Sequence, residues 1–350
     1  GTPLRDAIAA RGGALTDTVD GRSVRFYLEG RGADVPSLVG LLGMALAAPD
    51  FSAAAIAAAR AALTAQIGGN QASGLAVGIQ MFRQAYDPGK GGMPALGTVD
   101  GLAQLGPDDL TAFYRATYER RAVTASAVGS ASPNLGAAVQ RLADGLPNGA
   151  VVPVSEHSKP ISAESTRIVT HRDVAEPWVI LGFGAPSPGS PDFGPMLVME
   201  SLLGDAFNRR STTTLSYFEK PIGAVYLYDA TPAGMVVYVD GARGDPSLGL
   251  RVVLVAARTL AAKKVDASSL ARFKTAAEGQ FLADSLQLSD RAYLLGTLWS
   301  QGLGNDPINA ALEAVEHTTP ADLQRVAKRY LQHYIVALVL PRDRPTAPGS

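Results

Sequence analysis

The chain of 350 residues is 47% apolar, enough for two domains with cores of their own, and its 31 basic residues balance 32 acidic ones to a net charge of −1. The balance also holds within residues 1–150, with 12 Lys/Arg against 12 Asp/Glu, so no basic stripe offers nucleic acid a counterion-releasing surface. Cysteine is absent, which excludes disulfides, thiolate catalysis and Cys-ligated zinc or iron–sulfur sites, and fits an oxidising compartment such as a periplasm.

The sequence opens at Gly1 on a helical pattern with no signal peptide; starting without Met is expected of a processed or cleaved chain. The first predicted helix, Pro3 to Arg11, stops at Gly12-Gly13. Strands follow over Ala14–Val19 and Ser23–Glu29, turned by Asp20-Gly21, a pair suited to the positive φ of a hairpin. Asp34 or Ser37 caps a helix to Ala48; its apolar run Leu38–Ala48 is too short to cross a bilayer and reads as buried. Ser52 caps the next helix to about Ile67, with Ile56, Leu63 and Ile67 on one stripe. A helix at Gly74–Tyr86 leads into a loop, Asp87–Gly97. Then come helix Pro107–Tyr118, strand Ala122–Gly129 and helix Asn134–Leu146.

Residues 147–165 hold Pro147, Pro153 and Pro160 without periodicity and read as a linker. Beyond it come strands Thr166–Arg172 and Trp178–Phe183, helix Pro191–Leu203 and a polar stretch Asn208–Thr214. Strands Ala224–Ala230 and Met235–Asp240 precede helices Leu248–Ala262, Ala267–Leu286, Arg291–Gln301, Ile308–His317 and Ala321–Gln332, and Tyr334–Leu340 closes as a strand.

The chain repeats itself at a spacing of about 210–214 residues. Tyr27-Leu28-Glu29-Gly30 returns as Tyr238-Val239-Asp240-Gly241, and Leu46-Ala47-Ala48 with Arg60 and Gln66 returns as Leu260-Ala261-Ala262 with Lys274 and Gln280. Pro107-Asp108-Asp109-Leu110 returns as Pro320-Ala321-Asp322-Leu323. The expected fold class is α+β: two homologous domains, each a mostly antiparallel sheet packed with helices, at residues 1–146 and 166–350. Roughly fifty residues that begin the second copy, two strands and a helix, have no counterpart in the first, which is therefore expected to be truncated at its N-terminus.

The element order and a set of local motifs resemble the pitrilysin/insulinase superfamily of zinc peptidases, closest to its processing-peptidase-like members. The motifs are Gly1-Thr2-x-x-Arg5, Gly12-Gly13-Ala14-Leu15, Pro49-Asp50-Phe51 with Arg60 and Ile67, and Tyr86 with Gly97-Thr98. The run Asp109-Leu110-x-x-Phe113-Tyr114-x-x-x-Tyr118 before a strand ending in Gly129 is the strongest. In the second copy they are Pro191-Asp192, Leu202 to Asn208 and Gly223-Ala224-Val225-Tyr226. No one motif is specific; their order is.

The resemblance implies an H-x-x-E-H zinc helix lying upstream of Gly1-Thr2, and a third, carboxylate ligand on a later helix. At that position this chain has Gln66, six residues after Arg60. A neutral amide brings no charge to offset the dication, so no catalytic zinc is expected on this chain; zinc belongs to a partner or to an upstream segment. His157, His171, His317 and His333 share no metal-type spacing and take surface or helix-cap roles. The resemblance also implies a substrate-gripping Arg and Tyr in the second half. Tyr226 matches the Tyr, or packs as a sheet aromatic with Tyr228, while the Arg position falls on Ser216, Glu219 or Lys220 and has no match.

Other chemistry finds no support. There is no G-x-S-x-G elbow, and Gly89-Lys90-Gly91-Gly92 lacks the phosphate-loop spacing. Asp108, Asp109 and Asp322 sit in first helical turns, where they complement the helix dipole.

The expected function is a non-catalytic peptidase-like subunit that pairs with a zinc-bearing homologue, or with itself, and holds unfolded peptide. Peptide would add to an exposed strand edge at Ala14, Leu15 and Thr16. The alternatives are a fragment of an active zinc metalloendopeptidase, against which Gln66 argues, and a purely structural assembly subunit.

Overall fold

The computed structural model describes residues 4–19, 23–71, 73–89, 92–130, 132–148, 165–214, 223–240 and 246–342. Gly1-Thr2, the Asp20-Gly21 turn, Lys90-Gly91, most of the linker and the three candidate Arg positions lie outside them. The fold is α+β, and the chain divides into two compact units that interleave along it. Unit 1 takes Gly1–Ile67, Ala95–Ser155 and Asp284–Ser300; unit 2 takes Gly68–Pro94, Glu156–Ala283 and Gln301–Ser350. Among the described residues no helix is long and apolar enough to cross a membrane.

In unit 1, helix α1 (Leu4–Ala9) precedes the antiparallel pair β1 (Ala14–Val19) and β2 (Val24–Glu29), registered Ala14 on Glu29 through Val19 on Val24. Alternation turns Phe26 and Leu28 toward a core of Ile8, Leu15, Leu38 and Leu42, the last two from α2 (Val35–Ala47). Gly13 is needed where α1 hands over to β1, because a Cβ there would meet Leu38 Cδ1 at 2.6 Å. Next come α3 (Ala53–Gln71), which runs on past unit 1, and, beyond α4 (Gly74–Tyr86), the helices α5 (Val99–Gln104), α6 (Pro107–Thr117) and α7 (Leu135–Asp144). Ser52 caps α3 as expected, its hydroxyl accepting from the Ala55 amide at 3.3 Å. Asp34 does not cap α2 with its side chain; its carboxylate pairs with Arg31 instead.

Unit 2 is built on a five-stranded sheet, ordered β3 (Thr166–Arg172), β7 (Ile335–Pro341), β4 (Trp178–Gly184), β6 (Gly234–Asp240) and β5 (Gly223–Leu227). Every pairing is antiparallel except β3 with β7. The near-continuous apolar sequence of β4 and β7 reflects burial on both faces. One face is covered by α4, the other by α8 (Phe193–Thr214) and α9 (Pro246–Ala262), with α13 (Pro320–Tyr330) packed on α8 and α9, and α10 (Ala267–Ala283) and α12 (Pro307–Glu316) outside α8. Phe82 of α4 lies on Gly182 of β4, where a Cβ would come within 2.0 Å of the ring. Gly78 one turn earlier makes room for Ile180.

Three expectations are corrected. Helix α8 continues to Thr214, so the polar stretch Asn208–Thr214 is helical: nothing in it breaks a helix. Helix α5 was not expected; it is one short turn-rich piece whose N-cap, Thr98, accepts from the Gly101 amide. Residues 123–128 form no strand. Among the described residues of unit 1 no strand pairs with them, so β-propensity alone leaves them outside any ladder.

Candidate functional site

In unit 1 the candidate edge is β1. Ala14 and Thr16 are exposed, while Leu15 points into the core beside Ile8 and Leu38. Among the described residues β1 pairs with β2 alone, so its outer edge is open. Part of its polar surface is already engaged: Arg5 of α1 donates to the Leu15 carbonyl at 3.3 Å and forms an ion pair with Asp17. The resemblance motif Gly1-Thr2-x-x-Arg5 thus has a local structural reason, since its Arg ties α1 to the strand.

Gln66 is exposed near the end of α3, one helical stripe away from the apolar Ile67. Arg60, two turns earlier, has a different task. Its Nε donates to the Leu102 carbonyl and its Nη2 to the Leu105 carbonyl, both at 2.9 Å, satisfying acceptors left over at the end of α5. In unit 2 the corresponding Lys274 of α10 donates to the Glu316 carbonyl at the end of α12. A second device is paired in the same way. Tyr114 of α6 donates to the Leu46 carbonyl at 2.6 Å, and Gln324 of α13 donates to the Ala261 and Ala262 carbonyls at 3.3 and 3.2 Å. The repeated motif Leu-Ala-Ala is therefore a helix end with a side-chain cap in both units.

A zinc ion does not fit what α3 offers. Gln66 presents an uncharged amide, and among the described residues no three His, Asp or Glu side chains converge as a metal-ligand group. His317 closes α12, its Nδ1 at 2.7 Å from the Glu313 carbonyl, and His171 lies on β3.

Tyr226 is on β5 and only 3% exposed. Its amide donates to the Glu200 carboxylate at 2.8 Å, its hydroxyl donates to the Pro186 carbonyl, and its ring packs on Phe193 and Tyr228 with centroids 5.8 and 5.6 Å away. Burial pushes its phenol well above the usual tyrosine range, and the nearby Tyr330, Glu200, Tyr228 and Asp192 add to the shift. In this geometry Tyr226 is a packed sheet aromatic of unit 2. Ala14, Leu15 and Thr16 are brought together on one strand; Tyr226 belongs to the other unit.

The polar centre of unit 2 was not foreseen. Asp192, just before α8, is fully buried and receives Arg325 and Arg329, the latter at 3.2 Å, with the Tyr330 hydroxyl at 3.4 Å. Burial, then the Asp192 charge, pushes the Tyr330 phenol up to about 12. The available signal was the four-residue spacing of Arg325 and Arg329, which puts both on one face of α13. Nothing in the sequence named the acid they share. A different buried carboxyl, Glu119 of unit 1, has one oxygen, Oε2, that is buried without a hydrogen-bond partner.

Comparison with known proteins agrees with this fold. Residues 104–276 match the family described as "Peptidase M16 inactive domain". No curated protein matches the chain in sequence. Among solved structures, a protease from Helicobacter pylori is 14% identical with a TM-score of 0.81, covering 97% of this chain and 84% of that one. The peptidase M16 inactive domain from Pseudomonas fluorescens is 10% identical with a TM-score of 0.79, covering 97% and 84%. The periplasmic protease PqqL from Escherichia coli is 11% identical with a TM-score of 0.67, covering 97% of this chain and 38% of that longer one. At these identities the likeness is one of fold.

Proposed function

Taking the chain as a member of the pitrilysin/insulinase superfamily with an M16 inactive domain over residues 104–276, we propose that it is a non-catalytic subunit that pairs with a zinc-bearing homologue and helps hold an extended peptide. The two-copy organisation belongs to the same proposal: an internal duplication whose copies, residues 1–146 and 166–350 about a linker, keep matching helix-end caps.

The observation that carries it is the split between Arg60 and Gln66. The helix retains its scaffolding residue, which closes α5, and carries an amide where the chemistry requires a carboxylate. A scaffold kept without its ligand is what a subunit needs when the metal sits on another chain. Peptide would pair with the open edge of β1 at Ala14, Leu15 and Thr16, where backbone hydrogen bonds give affinity with little demand on sequence. Tyr226 contributes by fixing the shape of unit 2.

The test is metal analysis and peptide hydrolysis on the purified protein, alone and with a zinc-bearing homologue. The expected result is no zinc-dependent hydrolysis alone, and a rise in the homologue's hydrolysis when this chain is added. Near-stoichiometric zinc on this chain with chelator-sensitive hydrolysis would overturn the proposal. Stable association without any gain in hydrolysis points instead to an assembly role.

A further inference from the structure

Charge is balanced over the whole chain but unevenly placed in unit 2. Residues 246–264, helix α9 and the two lysines after it, hold four Lys/Arg and no Asp/Glu, while α13 holds three Lys/Arg against Asp322 alone. The helical period turns these bases outward. Arg258 lies on the solvent stripe of α9 with Val255 and Ala262, and Arg325, Lys328 and Arg329 lie on that of α13; all are exposed, as are Lys263 and Lys264. Gln324 joins the two helices by donating to the Ala261 and Ala262 carbonyls, so Lys263 and Lys264 leave α9 from the same junction. The next acid along, Asp266, is occupied at the start of α10, where its carboxylate accepts from Ser268 and Ser269.

Two of these bases are held in place from below. Arg325 and Arg329 both rest on the fully buried Asp192, and Arg325 also pairs with Asp322 at 2.9 Å, yet the two side chains remain 46% and 55% exposed. A buried carboxylate thus fixes two half-exposed guanidinium groups, so the N–H groups still facing water lose little freedom when they bind an anion. Even with Asp192 added to Asp322, six bases here meet two acids. The fold itself does not require this charge. In unit 1 the helix pair joined in the same way, α2 capped at Leu46 by Tyr114 of α6, carries only Asp108, Asp109 and Arg115.

We propose that this face of α9 and α13 is a docking surface for a carboxylate-rich segment of another polypeptide, held by Arg258, Lys263, Lys264, Arg325, Lys328 and Arg329. The surface belongs to unit 2 alone and stands without the β1 edge of the proposed function. Its chemistry selects the occupant. Planar guanidinium groups match carboxylates in shape as well as charge, and Arg325 already holds two of them. Other polyanions find less here. Single-stranded nucleic acid binds by stacking its bases on exposed aromatic rings, and the one aromatic of these two helices, Tyr330, is 2% exposed. An anionic bilayer is gripped by large apolar side chains that enter it, and among the described residues of α9 and α13 Val255 is the exposed one.

The probe is a fluorescent synthetic peptide, Ser-Glu-Glu-Gly-Glu-Glu-Ser-Glu-Glu, titrated against the full chain at low salt. The combined variant Lys263→Gln, Lys264→Gln, Lys328→Gln removes three exposed charges and should keep the wild-type melting temperature while binding about tenfold more weakly, a few tenths of a kcal/mol for each exposed pair. The same loss of charge in unit 1, by Arg115→Gln, Arg121→Gln and Arg141→Gln, all exposed, should leave affinity close to wild type. Hydrogen exchange with the peptide bound should slow at residues 258–264 and 324–330. No binding, an equal loss in both combined variants, or tighter binding to polyuridylate or to phosphatidylglycerol vesicles would overturn the inference. Slowing confined to residues 14–19 would overturn it too, while supporting peptide addition at β1.

Discussion

The hydroxyl of Tyr226 donates to the backbone carbonyl of Pro186, joining β5 to the segment that leads from β4 into α8. A buried phenol held this way reports on the fold of unit 2 more than on any ligand. Tyr226→Phe keeps the ring contacts with Phe193 and Tyr228 and strands the Pro186 carbonyl, so it should cost about 1–2 kcal/mol in urea unfolding. Peptide affinity should stay within twofold of wild type. A tenfold loss of affinity at unchanged stability would restore a gripping role to Tyr226.

Asp192 should be the most sensitive polar position of unit 2. It is fully buried, whereas Arg325 and Arg329 are half-exposed and can turn to water when it is removed. The expected cost of Asp192→Asn is therefore about 2–3 kcal/mol, below the usual loss for breaking a fully buried pair. Urea unfolding should show a lower midpoint with an unchanged slope. Arg325→Gln should cost less, because Arg329 and Tyr330 still face the carboxylate.

The close approach of Phe82 to Gly182 makes a steric prediction. Gly182→Ala places a methyl group inside the van der Waals radius of a ring that is 1% exposed and stacked on Tyr86 at 5.4 Å. The ring cannot swing into solvent, so α4 must shift from the sheet. A loss of about 2–3 kcal/mol is expected in thermal or urea unfolding, from overpacking alone.

Stability should fall at both ends of the pH scale for separate reasons. The Tyr330 phenol is raised to about 12 in the folded state against about 10 when unfolded. The unfolded chain loses this proton first, so the contribution is complete below pH 10 and is lost between about pH 10 and 12. Tyrosinate absorbance should show late titration at this residue, and Tyr330→Phe should flatten the alkaline limb. At the acid end, the Asp322 carboxylate is held below the usual range, first by the Thr319 hydroxyl and then by Arg325. Its contribution is complete above the ordinary carboxylate pKa and is lost as pH falls through the lower folded value. Thr319→Ala should move that acid limb to higher pH.

The paired helix-end caps predict parallel effects in the two units. Arg60→Met keeps the aliphatic stem and removes both donors to Leu102 and Leu105, while Lys274→Met removes the donor to Glu316. Each should cost about 1 kcal/mol. Faster amide exchange is expected in the segments following α5 and α12 respectively.

Much of the architecture was present in the sequence, because its signals are local. Apolar periodicity placed eleven of the thirteen helices among the described residues within a few residues, and Ser52 with the acidic first turns at Asp108, Asp109 and Asp322 marked where three of them begin. Alternating or continuous apolar runs placed the seven strands among the described residues. The sequence also places Gln66 where the resemblance implies a carboxylate, and an amide differs from a carboxylate in any setting.

What only the tertiary structure decided depends on pairs far apart in the chain. The run 123–128 has the composition of a strand, but a strand exists only with a partner to share its hydrogen bonds, and no position of the run says whether one is at hand. Asp192 and Arg325 are 133 residues apart, and neither signals the other. Helices α4 and α11 (Leu288–Ser300) sit in units away from their sequence neighbours because of where their glycines and aromatics find complementary surfaces. Local propensity is a property of a segment; pairing and burial are properties of what it meets.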